Sequence, residues 1–104
     1  MAAKKLSWSA FAKALIQYGP FLLMMTPLAP IAPAVIQAIL EAEQIKGATG
    51  PEKLAHVMAI ITTAAEALNL QAGHEVVDMA KLQQTGAAII SAIIAIVNLV
   101  TKKP

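Results

Sequence analysis

The chain has no cysteine and no arginine, and its 104 residues include one tryptophan, one tyrosine and two phenylalanines. Without cysteine there is no disulfide framework, thiolate nucleophile or zinc–cysteine site, and the redox compartment is undetermined. Without arginine there is no planar fork for phosphates and base edges, so eight lysines and a net charge of +2 do not point to nucleic acid. The length allows one small core but not a cleft enzyme with a separate cofactor domain.

Catalytic constellations are missing too. Glu41 and Glu43 cannot face a common point on one helix, Glu66 stands alone, and no Ser/His/Asp set or phosphate loop occurs. His74, Glu75 and Asp78 form HEVVD, which resembles the zinc motif HExxH with its second histidine replaced. A catalytic zinc needs three protein ligands, and the only other histidine is His56. The expectation is a protein with no enzymatic activity, metal, cofactor or small-molecule substrate.

Apolar residues are what the chain has in excess. They make up 58% of it, with a mean hydropathy of +0.66, although 22 alanines inflate the first figure. A long uncharged run lies at the end: Leu82 to Thr101 is 20 residues without charge, followed by Lys102 and Lys103. As a helix it would be about 30 Å long, close to the thickness of a bilayer's hydrocarbon core. Its fully apolar part, Gly86 to Val100, is shorter at about 22 Å, so a span would draw Leu82 to Thr85 into the interface. Ala87, Ser91 and Ala95 recur every fourth residue, the seam that lets helix backbones approach closely in lipid. Ile89, Ile93, Ile96 and Val100 form an apolar face toward lipid or a partner.

Upstream, Ser7 or Ser9 is placed to cap a first helix over 7–18, with Trp8, Phe11, Leu15 and Tyr18 as an aromatic stripe. Trp8 and Tyr18, with Lys102 and Lys103, are candidate interfacial anchors. Early lysines followed by apolar residues superficially suggest a signal peptide, but Lys13 interrupts the apolar core and prolines follow, so the expectation is an uncleaved segment. Gly19, Pro20, Pro27, Pro30 and Pro33 predict a proline-rich break over 19–33, with residues 26–33 extended or turn-like. A helix over 34–46 carries another small seam, Ala34, Ala38 and Ala42. Thr49 and Glu52 have capping-box spacing and open an amphipathic helix over 51–68, with Ala55, Ala59, Thr63 and Ala67 as a third seam. Asn69 to Gly73 reads as a loop, and 75–101 as the C-terminal apolar helix with a kink at Gly86. The fold expected is all-α: three to four helices in a small Ala-rich hairpin or bundle, one unit over 1–104, without a sheet.

Charge is distributed unevenly: three lysines up to Lys13, six acids against three lysines over 41–81, and two lysines in the tail. If the uncharged stretches 14–40 and 82–101 both spanned, both termini would be cytoplasmic.

The run PLAPIAPAVIQAILEAEQIKGATGPEKLAHVMAI, followed by a loop and IISAIIAIVNLV, resembles small holin-like proteins of tailed bacteriophages over roughly residues 20–100. The resemblance rests on an apolar helix ending AEQIKG, the GPEK start of the next, and IVNLV before basic residues. It implies self-association in the host inner membrane and permeabilisation for lysis, with the bilayer and further copies as partners. The proline-rich first segment departs from a plain two-span pattern. Two other readings remain: a soluble or virion-associated helical assembly protein, in the phage virion or cytoplasm, and a secreted pore-forming bacteriocin.

Overall fold

The computed structural model describes the backbone of residues 2–101 and the side chains of residues 10–101. Four α-helices account for most of it: α1 (Ala2–Leu23), α2 (Ala32–Glu43), α3 (Gly50–Ala72) and α4 (Met79–Thr101), with one 3-10 turn at Ala29–Ile31. No strand occurs among the described residues. The all-α bundle expected from composition is the fold observed.

Consecutive helices pack on one another through short connections, the arrangement of antiparallel neighbours, and α1 also packs on α4, closing a ring of four. Each helix contributes an apolar stripe to the enclosed core. Phe11, Ala14, Leu15 and Leu23 come from α1; Val35, Ile36, Ala38, Ile39 and Ala42 from α2; Val57, Ile61 and Ala65 from α3; and Leu82, Ile90, Ile93 and Val97 from α4. Spacings of three and four place these residues on one side of each helix. No polar or charged side chain is buried among the described residues.

The local signals differ in how they act. Thr49 and Glu52 form the capping box: Glu52 N–H donates to Thr49 Oγ1 at 3.3 Å, and Thr49 N–H donates to Glu52 Oε1 at 2.7 Å. Pro51 occupies the first turn, where an absent N–H leaves no bond broken. By contrast, α1 begins at Ala2, so Ser7 and Ser9 lie within it and do not start it. It also runs through Gly19 and Pro20 to Leu23, beyond the expected end at 18. Pro20 sits on the exposed side in the last turn, where the carbonyl it leaves unpaired can meet water. Gly19 is buried because α2 crosses there: a Cβ would collide with Ile36 Cδ1.

The proline-rich break is therefore shorter than the expected 19–33. Pro27 lies in the turn, Pro30 in the 3-10 turn, and Pro33 at the start of α2, which begins at Ala32 and ends at Glu43. These prolines direct turn and helix start, not an extended segment. Helix α3 continues past Leu68 to Ala72, so Asn69 is helical, and Gly73 ends it at φ 78°, the left-handed region glycine adopts freely. Helix α4 starts at Met79, later than the expected 75, because residues 74–78 form the connection. It passes through Gly86 without leaving the helix, with Gly86 seated against Met58.

Candidate functional site

Helix α4 has two faces. Leu82, Gly86, Ile90, Ile93 and Val97 are buried in the bundle, whereas Ala88, Ala92, Ile96, Leu99 and Val100 are exposed. Leu99 is 77% exposed. No charge occurs between Lys81 and Lys102, so this outward face is uncharged; it mixes these apolar side chains with the exposed polar Gln83, Gln84, Thr85, Ser91 and Asn98. Among the described residues α4 is the one helix long and apolar enough to cross a membrane, with a mean hydropathy of 1.8 and only 22% of its most apolar stretch buried. Helix α3 has the same length, yet its outer side carries Glu52 and Glu66.

The expected apolar face of α4 is thus divided. Ile93 belongs to the core, Ile89 is half-buried, and Ile96 and Val100 face outward. The division follows from rotation: Ile93 shares the side of Leu82, Gly86, Ile90 and Val97, which packs inward.

The small seams go to different places. Ala38 and Ala42 are buried within this chain and Ala34 is half-buried, so the α2 seam packs α2 into the bundle and offers little to another copy. On α3, Ala55, Ala59, Thr63 and Ala67 are exposed. On α4, Ala87 is half-buried while Ser91 and Ala95 are exposed along a groove. That groove has a volume of about 510 Å³ and runs between the end of α2, the start of α3 and α4. Ile39, Ala42, Leu54 and Val57 form its opposite wall. At its rim Lys53 Nζ lies 3.3 Å from Glu43 Oε1, tying α3 to α2.

Of the four expected anchors, Tyr18 is partly exposed on α1. The Trp8 side chain, Lys102 and Lys103 lie outside the described residues. Uncharged residues 14–40 do not form one continuous helix; they divide into the second half of α1, a turn, the 3-10 turn and most of α2.

HEVVD has a structural part to play. His74 and Glu75 stand in the connection, so the i, i+4 helical placement that would have aimed His74 and Asp78 together does not exist. Met79 N–H donates to Glu75 Oε2 at 3.3 Å and Lys81 N–H to Asp78 Oδ1 at 3.1 Å, so both acids satisfy the free N–H groups opening α4. No group of three metal-ligating side chains occurs among the described residues.

Sequence reasoning missed Asn69 and the α1–α2 turn. Asn69 Nδ2 donates to the Val77 carbonyl at 3.0 Å, and its Oδ1 accepts from Val76 N–H at 2.7 Å and Val77 N–H at 2.8 Å. At the turn, Phe21, Met24 and Met25 project outward. Their run of apolar letters was visible, but its exposure depends on tertiary packing. No protein-family model, curated protein or solved structure matches the chain.

Proposed function

We propose that this chain is a membrane-permeabilising, self-associating helical protein of the holin-like kind, acting on a host inner membrane by assembly and not by catalysis. The observation that carries the reading is the outward face of α4, uncharged from Leu82 to Thr101 and left outside the core. A helix buried in a water-soluble bundle normally turns charge outward, as α3 does; α4 turns outward Ala88, Ala92, Ile96 and Leu99. Ser91 and Ala95, exposed and small, are the residues assigned to close helix contact between copies, with Ala87 beside them. A Ser91→Leu change is expected to weaken self-association by steric exclusion, read by crosslinking in membranes.

The second reading is a soluble or virion-associated assembly module. It is favoured by the complete burial of Leu82, Ile90 and Val97, which gives α4 a core role in the absence of lipid. Fractionation separates the two. On expression without a tag, the membrane reading expects the protein to pellet with membranes and return to solution only with detergent. Recovery in the detergent-free supernatant sinks it and leaves the assembly module.

A further inference from the structure

We infer that the α1–α2 turn is the part of the folded bundle that enters a bilayer first, seating Phe21, Met24 and Met25 among lipid acyl chains. The inference rests on the membrane reading above and adds where and how the molecule docks.

Three features coincide at this turn. Its large side chains point into solvent: Phe21 is 68% exposed, Met24 72% and Met25 81%. They lie within a run of 27 uncharged residues, from Ala14 to Leu40. Its backbone donors are also satisfied within the chain. Met24 N–H donates to Pro20 O at 3.0 Å, Met25 N–H to Leu22 O at 3.3 Å and Thr26 N–H to Leu23 O at 3.0 Å. Leu28 N–H donates to Thr26 Oγ1 at 3.1 Å, and that hydroxyl donates to Leu23 O at 2.8 Å. Ala29 N–H reaches Thr26 O at 3.2 Å, Ile31 N–H reaches Leu28 O at 3.0 Å, and Pro27 and Pro30 have no N–H.

From Met24 to Ile31, then, every backbone N–H is bonded or absent. Hydrocarbon demands partners for donors and carbonyls alike, at several kcal/mol for each group left unpaired. The donors of this turn meet that demand, while the Met24, Met25 and Pro27 carbonyls accept no bond among the described residues and keep the backbone at the interface, with the Phe21, Met24 and Met25 side chains reaching below it. A protein partner docking through backbone hydrogen bonds would find no free N–H here. Lipid therefore fits the surface better.

Charge complementarity sets the depth. Exposed Lys13 lies roughly 15 Å back along α1 from its end at Leu23, with the partly exposed Tyr18 between Lys13 and the turn. Lysine, tyrosine and then phenylalanine and methionine follow the order of anionic headgroup, interface and acyl chain. The α3–α4 connection, at the same end of an antiparallel bundle, carries Glu75, Asp78 and Lys81 and stays in water, so docking is by one corner.

The test is co-sedimentation of the full chain with phosphatidylethanolamine vesicles containing phosphatidylglycerol. Phe21→Glu combined with Met25→Glu should lower the bound fraction at least about tenfold, with an unchanged circular-dichroism melt. Equal binding by this variant and the parent overturns the inference and leaves the membrane reading standing; a parent that fails to bind overturns both. Because the chain has no cysteine, Met25→Cys and Ala59→Cys each accept one fluorescent label. Nitroxide lipids should quench the label at 25 and spare that at 59 on α3; equal or reversed quenching overturns the inference.

Discussion

Asn69 fastens the α3–α4 connection with one side chain, bonding both Val76 and Val77 across a gap of seven and eight residues. Asn69→Ala would strip partners from two N–H groups and a carbonyl, costing about 1–3 kcal/mol. Thermal unfolding should show this as a lowered midpoint. A midpoint within a degree of the parent would mean that water replaces the amide fully. The sequence reading placed Asn69 in a loop, but here the residue lies in the last turn of α3, which Gly73 ends, while its amide serves the chain beyond. Two glycines make opposite cases. Gly19→Val should destabilise by about 1–3 kcal/mol, since its branched side chain meets Ile36 and Leu15 in a filled interface. At Gly86 an added Cβ would lie 3.0 Å from Met58 Cε and 3.3 Å from Leu82 Cδ1. The methionine end can move, so Gly86→Ala should be neutral or gain up to about 1 kcal/mol from helix propensity. Paired chemical denaturation curves check the signs.

Among elements, periodicity disclosed which residues share a face, and packing decided which face turns inward. The α3 stripe around Val57, Ile61 and Ala65 was legible because charged residues mark its other side. Helix α4 is uncharged after Lys81, and only the milder polarity of Gln84, Ser91 and Asn98 marks its outer side, too weak a signal to separate core Ile93 from exposed Ile96. For the same reason the four-residue alanine spacing identified small surfaces without orienting them: the α2 seam went inward and the α3 seam outward. Proline was overread at Pro20, which is tolerated near a helix end, whereas Pro33 stands at the start of α2, where a proline suits a first turn. The two faces of α4 make separate demands on a variant. Ile96→Glu combined with Leu99→Glu changes only exposed positions and should leave the melting midpoint nearly intact. Under the membrane reading it should reduce membrane partitioning by more than about tenfold, because a carboxylate is costly inside a bilayer. Retained partitioning would show that this face does not meet lipid.

At the scale of the whole molecule, the helix class was legible from composition, while the ring order of the four helices depended on contacts no local pattern encodes. That ring creates a conflict for a membrane protein. Helix α4 buries Leu82, Ile90 and Val97 against the other helices, so crossing a bilayer as a span requires it to exchange those neighbours for lipid or another copy. Under the membrane reading, docking would leave the bundle closed and permeabilisation would open it. Ile61→Ala separates the two steps, because Ile61 is fully buried on α3 and its truncation leaves the hydropathy of α4 untouched. The lost side chain should weaken the bundle by about 2–5 kcal/mol. If opening limits permeabilisation, Ile61→Ala should release vesicle dye faster than the parent at equal bound protein, despite its lower melting midpoint. Slower release at equal binding would identify the closed bundle as the active form and confine α4 to its core role.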